Sequence, residues 1–324
     1  MSSAPSFSVK GKVVLVTGGA KGIGKMISTG FVAAGAKVYI SSRDKKSCDA
    51  VAQELTKLGP GSAHSLPAVR STFGASSTAL SPRHADIPIF SCLFQDLASY
   101  EGVEALVAEL SKREKHLNVL VNNAGNNWGA PLEEYPDAAW DRVLTLNLKR
   151  VFTLTQKCVP LLLASLPKDA PEEGPWNDPG EFSMKRPARL VPSFQAADQP
   201  HPSSNTARII NIGSVDGIRV PSLETYAYSS SKAALHQLSR VFAAQLGRRG
   251  VTSNTIACGP FESKMMAATL EAGRDLIVAG VPLGRIGAPQ DVAGTCIFLS
   301  SPAGAWVNGA TIALDGGALV GGKL

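Results

Sequence analysis

Cysteine is too sparse and too scattered in this chain to make a framework. The five residues, at 48, 92, 158, 258 and 296, are odd in number and contain no C-x-x-C pair. That argues against a disulfide scaffold or a metal site and fits reduced, buried thiols in a cytoplasmic protein. Long hydrophobic runs are missing too: no apolar stretch reaches the ~18 residues of a membrane-spanning helix. Met1-Ser2-Ser3-Ala4-Pro5 has neither a basic region nor an apolar core, so no secretory leader is expected. Charge of one sign is also scarce. The net charge is +6 and spread out; Arg43-Lys45-Lys46 and Lys112-Arg113-Lys115 suit solvated helix faces better than a nucleic-acid surface. What is present is ordinary: 324 residues, 44% hydrophobic and 18% charged, enough for a sizeable core.

The strongest local pattern begins at Lys12. Lys12 to Thr17 (KVVLVT) is a β-branched run that reads as a buried strand. It passes directly into Gly18-Gly19-Ala20-Lys21-Gly22-Ile23-Gly24, then into the helical pattern of Met26, Ile27, Phe31, Val32 and Ala33. Strand, glycine turn and helix together are the setting in which a glycine fingerprint binds a dinucleotide. Gly18 permits the tight turn; Gly22 and Gly24 let the backbone approach a pyrophosphate at the helix N-terminus. The next strand, Lys37 to Ser42, should end at the adenosine ribose. A carboxylate there would bind a 2′-hydroxyl and favour NAD, but Ser42-Arg43 stands there, and a guanidinium suits a 2′-phosphate. Lys21 can lie near the same phosphate. Two cations predict NADPH/NADP, with Asp44 one position late.

Strands and helices then alternate. Cys48 to Leu58 reads as a helix, and two segments compete for the third strand, His64-Ser65-Leu66 and Ile89 to Phe94. A helix is expected to begin at Asp96-Leu97. Leu117 to Val121 is a strand running into Asn122-Asn123-Ala124-Gly125, whose amides can join strands and line a nucleotide pocket. Trp140 to Leu166 has one helical pattern containing Asn147, and Arg208 to Ile212 is a strand ending at Gly213-Ser214. Tyr228 and Lys232 open the next helix four residues apart, hence on one face. A fixed cation beside a phenol favours its charged form and makes it usable as an acid and base. Val251 to Ala257 and Ala310 to Leu314 complete seven strands. The expected fold is α/β: a doubly wound, parallel, seven-stranded Rossmann-like sheet in one domain spanning 1–324.

Placed in this order, the motifs resemble the short-chain dehydrogenase/reductase family, in its T-G-x-x-x-G-x-G and Y-x-x-x-K branch. The likeness runs over about residues 9–322 and rests on Thr17 to Gly24, Asp96, Asn122 to Gly125, Asn147, Ser214, Tyr228 and Lys232. Val307 to Thr311 and Leu314-Asp315-Gly316-Gly317 extend it. Asn122 to Gly125 followed by Trp128-Gly129-Ala130-Pro131, and Gly259 to Met265, are most similar to members of the rhamnolipid-pathway 3-oxoacyl reductase type. The resemblance implies that Tyr228 exchanges a proton with the substrate oxygen and that Ser214 hydrogen-bonds that oxygen. It implies that Lys232 lowers the tyrosine pKa and holds the nicotinamide ribose, with Asn147 anchoring a relay water. Asp96 and Leu97 would hold the adenine, Asn123, with Ala124 and Gly125, the cofactor ribose region, and Phe261 and Ser263 would face the nicotinamide. Cys258-Gly259-Pro260 departs from the usual Pro-Gly; a structural buried thiol is expected there. Substrate choice should lie in residues 126–131, 216–225 and 260–282. Arg219, Lys264 and Arg274 are candidate entrance cations for an acyl chain carried as a thioester.

The leading function is reduction of a ketone or 3-oxoacyl group by NADPH, with a small-molecule carbonyl substrate. The alternatives are oxidation of a secondary alcohol or polyol, and NADPH binding without turnover. The resemblance implies a homodimer or homotetramer, with no nucleic-acid or membrane partner. Two stretches fall outside the pattern. Deleting 69–95 joins Ser65-Leu66-Pro67-Ala68 to Asp96-Leu97, restoring the expected strand and adenine pocket and removing a loop of uncommon length. These 27 residues read as a translated intron or gene-model error, since Val69-Arg70 can encode a GT start and Phe94-Gln95 a TTTCAG end, with a genuine surface insertion as the alternative. Residues 167–206 read as a low-order loop, with 180–195 open to the same suspicion.

Overall fold

The computed structural model describes residues 6–67, 96–166 and 206–321. Its seven strands are β1 (Val13–Thr17), β2 (Lys37–Ser42), β3 (Ser62–Pro67), β4 (Val119–Asn122), β5 (Ala207–Ser214), β6 (Val251–Cys258) and β7 (Thr311–Leu314). They form one sheet in the order β3-β2-β1-β4-β5-β6-β7, with every ladder parallel. The central strands β1, β4, β5 and β6 are buried along their whole length, which is why their sequences are apolar runs and not alternating patterns.

Successive side chains still point to opposite faces. Val14, Val16, Val121 and Ile210 meet α1 (Gly22–Ala33), α2 (Lys45–Thr56) and α8 (Pro289–Ser300) on one face. Leu15, Leu120 and Ile209 meet α3 (Tyr100–Arg113), α5 (Arg150–Leu163) and α6 (Tyr226–Leu246) on the other. Each fully buried aliphatic side chain is worth about 1.5–3 kcal/mol, so both layers hold the sheet. The strand order reverses between β1 and β4, and ligands bind at the carboxyl ends of strands beside such a reversal. Gly18 and Asn123 leave the two strands there.

Three expectations change in detail. Of the two candidate third strands, residues 62–67 pair with β2; Ile89 to Phe94 lies outside the described residues, as do 69–95 and 167–205. The helix expected from Asp96 starts at Tyr100, because Ser99 accepts from the Gly102 amide at 2.9 Å and caps it. The single helix expected over 140–166 is α4 (Asp137–Leu144), one π-helical turn (Thr145–Lys149) and α5. Cys48, Cys158, Cys258 and Cys296 are free and buried. Among the described residues no helix is long and apolar enough to cross a membrane.

Candidate active site

The glycine turn is built by close approach. Gly18 and Gly22 have φ of 66° and 51°, a left-handed conformation that favours glycine. A Cβ on Gly24 would lie 2.3 Å from Gly18 O and 2.5 Å from Asn123 Nδ2, so nothing larger fits. Thr17 fastens this turn to β4: its Oγ1 accepts from the Asn123 and Ala124 amides at 2.9 and 3.0 Å and donates to Val121 O at 3.2 Å. Asn123 Nδ2 donates to Thr17 O at 2.8 Å. The Asn123 amide therefore holds the turn. The first turn of α1 carries no acidic residue, which leaves its dipole open to an anion.

The residues expected to react gather at the end of β5 and the start of α6. Ser214 is the last residue of β5, and Tyr228 and Lys232 stand in the opening turns of α6. Lys232 is 5% exposed; its Nζ donates to Ile212 O at 2.7 Å and lies 5.6 Å from the centre of the Tyr228 ring. Asn147 lies in the π-helical turn and is 1% exposed. Its Oδ1 accepts from the Asn126 amide at 2.9 Å, and its Nδ2 donates to Asn126 O at 2.9 Å and to Ser231 Oγ at 3.1 Å. Ser231 Oγ donates in turn to Tyr228 O at 2.7 Å. The asparagine thus ties the turn after β4 to the helix that carries the tyrosine. Single-turn π-bulges recur at functional sites, and here the bulge carries the residue that makes this tie.

Burial dominates the electrostatics of this pair. Burial raises the Tyr228 phenol above its usual range, the Ser214 hydroxyl opposes this, and Asp216 and Cys258 add to the rise. Lys232 is itself lowered to about 8 by burial. Its ammonium is turned to the Ile212 carbonyl, so desolvation outweighs the expected effect of the cation on the phenol. Tyr228 is protonated at neutral pH and suited to give a proton. Cys258 is pushed up to about 12 by burial, which makes it an inert thiol, as its apolar setting requires.

The other expected positions fall as follows. Ser42 ends β2 and Arg43 is exposed just beyond it. Lys21 Nζ is 3.8 Å from Asp44, and Asp44 caps α2 by accepting from the Ser47 amide at 3.2 Å. The carboxylate that stands one residue late is committed to a helix end. Ser263 sits across the glycine turn, 3.1 Å from where a Gly22 Cβ would be, and Gly125 lies against Asn147 Oδ1 in the same way. Ile23 packs on the core edge. Asp96 Oδ1 accepts from the Ala98 amide at 3.0 Å, and Leu97 is buried beside Thr17 and Ala124 in a cavity of about 10 Å³. Phe261 is 2% exposed, and its ring packs against Gly287, where a Cβ would come within 2.3 Å of it.

Sequence reasoning missed Thr17 Oγ1, Ser231 and a buried network joining β4 to β5 and α6. In that network Asn122 Nδ2 donates to Asn211 Oδ1 at 2.9 Å, and Asn211 Nδ2 donates to Ser239 Oγ at 3.0 Å.

The residues present fit a dinucleotide. Gly18 and Gly22 hold the turn in a left-handed backbone beside the α1 N-terminus, that terminus carries no acid in its first turn, and Arg43 forms no ion pair among the described residues. Fold and site together define a nucleotide-dependent oxidoreductase. A family model described as short chain dehydrogenase matches residues 12–73 and 74–168, and one described as Enoyl-(Acyl carrier protein) reductase matches 191–318. The chain belongs to the short-chain dehydrogenase/reductase family. It is 35% identical to the rhamnolipids biosynthesis 3-oxoacyl-[acyl-carrier-protein] reductase of Pseudomonas aeruginosa, over 97% of this chain and 98% of the relative. A solved RhlG/NADP active-site complex from the same organism superposes with a TM-score of 0.75 at 34% identity, over 98% of this chain and 99% of that one. A 2-dehydro-3-deoxy-D-gluconate 5-dehydrogenase of Escherichia coli is 28% identical over 96% of this chain and 97% of its own length.

Proposed function

We propose that the chain reduces a ketone or 3-oxoacyl group to a secondary alcohol at the expense of NADPH, with Tyr228 as proton donor. The observation that carries this reading is the Ser214 hydroxyl at the end of β5 within hydrogen-bonding reach of the Tyr228 phenol on α6, in the same sheet whose β1 runs into the glycine turn and whose β2 ends at Ser42. NADPH, when bound, supplies the hydride that the carbonyl carbon accepts. Ser214 and Tyr228 hydrogen-bond the carbonyl oxygen, and the phenol transfers its proton as charge develops there. Lys232 holds ribose hydroxyls and supplies a cation beside the phenolate formed.

The relative named for a 3-oxoacyl group supports the substrate class, and the NADP complex of the solved neighbour supports the cofactor. The assembly is a homodimer or homotetramer. Apolar side chains left open on α5 and α6, Phe152 and Val241, and near β7, Trp306 at 95% exposure, support it. Reduced, buried cysteines support a cytoplasmic location. The test is NADPH and NADH oxidation over a panel of ketones and 3-oxoacyl esters. Turnover with NADPH preferred is expected; no turnover of any carbonyl compound refutes the reading.

A further inference from the structure

Helix α6 meets the end of β5 with a third side chain besides Tyr228 and Lys232. His236 follows them at the same four-residue spacing, hence on the same face. Lys232 Nζ donates to Ile212 O at 2.7 Å; His236, one turn on and 4% exposed, meets the next residue of the strand. A Cβ on Gly213 would lie 2.3 Å from His236 Nε2 and 2.9 Å from its Cδ2, and a Cβ on Gly217 would lie 2.8 Å from Cε1 of the same ring. The outer edge of the imidazole therefore stands in a slot between two glycines. Those glycines bracket Ser214: Gly213 precedes it in β5, and Gly217 ends the 3-10 turn Val215–Gly217 that leaves from it.

The ring is not held there by a hydrogen bond from its outer nitrogen. His236 Nε2 is buried and has no partner among the described residues, which costs the fold the desolvation of a polar atom. A leucine would fill a similar volume without that cost. What the imidazole has and leucine lacks is a flat, thin edge that enters between two backbones. Burial, then Lys232 and Arg240, lower the ring to about 4, so it occupies the slot uncharged at neutral pH. The turn keeps its shape through its own main chain: the Asp216 amide donates to Ser214 Oγ at 3.1 Å, and the Ile218 and Arg219 amides donate to Val215 O, both at 2.9 Å. Those bonds do not set its height over α6. The height is set where the turn touches the helix, at the main chain of Lys232 and Ala233 behind Gly217 and at the His236 ring.

We propose that His236 is a positioning residue for the reaction: its ring edge, wedged between Gly213 and Gly217, holds the Ser214 hydroxyl at the height from which it meets the substrate oxygen. The inference rests on the reductase reading, in which that hydroxyl donates to the carbonyl oxygen as charge develops there. Such a donor acts only over a narrow range of distance. A misplacement of about 1 Å costs about 100-fold, so a turn that settles by about half as much should lose about tenfold. His236 touches neither substrate nor nucleotide in this account and acts through Ser214 alone.

The experiment is a double-mutant cycle on the full chain: wild type, His236→Leu, Ser214→Ala and the double variant, with NADPH and a ketone that wild type reduces. Leucine keeps the core filled, so Tm should stay within about 3 °C, while kcat and kcat/KM fall together by about tenfold. NADPH affinity should stay within about twofold, and His236→Gln, whose planar amide reaches the same slot, should recover most of the rate. In the Ser214→Ala background the leucine should cost less than about twofold, because the group it positions is gone. The same cycle with His236→Ala, which empties the slot instead of refilling it, should show the same dependence on Ser214. An unchanged kcat, or an equal loss in both backgrounds, overturns the proposal and leaves the reductase reading intact. Crystal structures of wild type and His236→Leu need no turnover and should place Ser214 Oγ about 0.5 Å or more apart. An unmoved hydroxyl overturns the positioning role; a moved one in a protein that reduces no ketone keeps the wedge and sinks the reductase reading.

Discussion

Lys232→Met should make the unliganded protein slightly more stable at pH 7 and inactive at every pH. The ammonium is 5% exposed and its pKa is lowered from 10.5 to about 8 by burial. At about 1.36 kcal/mol per unit, the charged form costs the native state on the order of 3 kcal/mol at pH 7. Methionine has a similar length and no charge. The substitution also removes the 2.7 Å hydrogen bond to Ile212 O, a charged bond worth about 1.5–3 kcal/mol. The difference leaves about 1 kcal/mol in favour of the variant. Unfolding entropy of about 2.1 cal/mol/K per residue, over 324 residues, turns that into a rise in Tm of about 1–2 °C. The pH dependence is the stronger signature. Between pH 8 and 10.5 the unfolded lysine holds its proton while the native one has released it, so wild type gains stability as pH rises. The penalty is complete below about pH 8 and gone above 10.5, hence wild type should overtake the variant by about 2–3 kcal/mol in relative terms between pH 7 and 10. Scanning calorimetry of both proteins without nucleotide at those two pH values measures it. A stability difference that is the same at both would refute the buried-ammonium account.

Arg43→Ala should weaken NADPH by at least about tenfold, since a guanidinium–phosphate pair is a strong charge-assisted contact, and leave NADH within about twofold. Fluorescence titration with each nucleotide reads this, and equal losses would rule out the phosphate role. We propose that residues 69–95 derive from an intron, so a chain lacking them should fold and bind NADPH at least as tightly as the long form. A dominant cDNA that retains the 27 codons would end that idea.

The first strand, glycine turn and first helix were legible because the signal is local: a β-branched run, glycines at fixed spacing and a helical period in immediate succession. The same holds for Tyr228 and Lys232, one turn apart on α6. The helix over 140–166 was read as continuous because a π turn keeps apolar residues in register on both sides; only the hydrogen bonding at Thr145–Lys149 reveals it. The start of α3 shifted because Ser99, not Asp96, has the geometry of a cap. What was least legible were partners far apart in the chain. Thr17 with Asn123, Asn122 with Asn211, and Asn147 with Ser231 meet only once the sheet has formed. The orientation of Phe261 and the rise of the Tyr228 phenol depend on burial, which spacing does not encode.

The central claim is that Tyr228 delivers the proton in a reduction driven by NADPH. The most direct measurement compares wild type with Tyr228→Phe under saturating NADPH and a ketone that wild type reduces, alongside the nucleotide affinity of each. Removing a positioned proton donor should lower kcat by about 100-fold or more, with NADPH affinity changed by no more than a few-fold. Equal rates of ketone-dependent NADPH oxidation by the two proteins would contradict the claim.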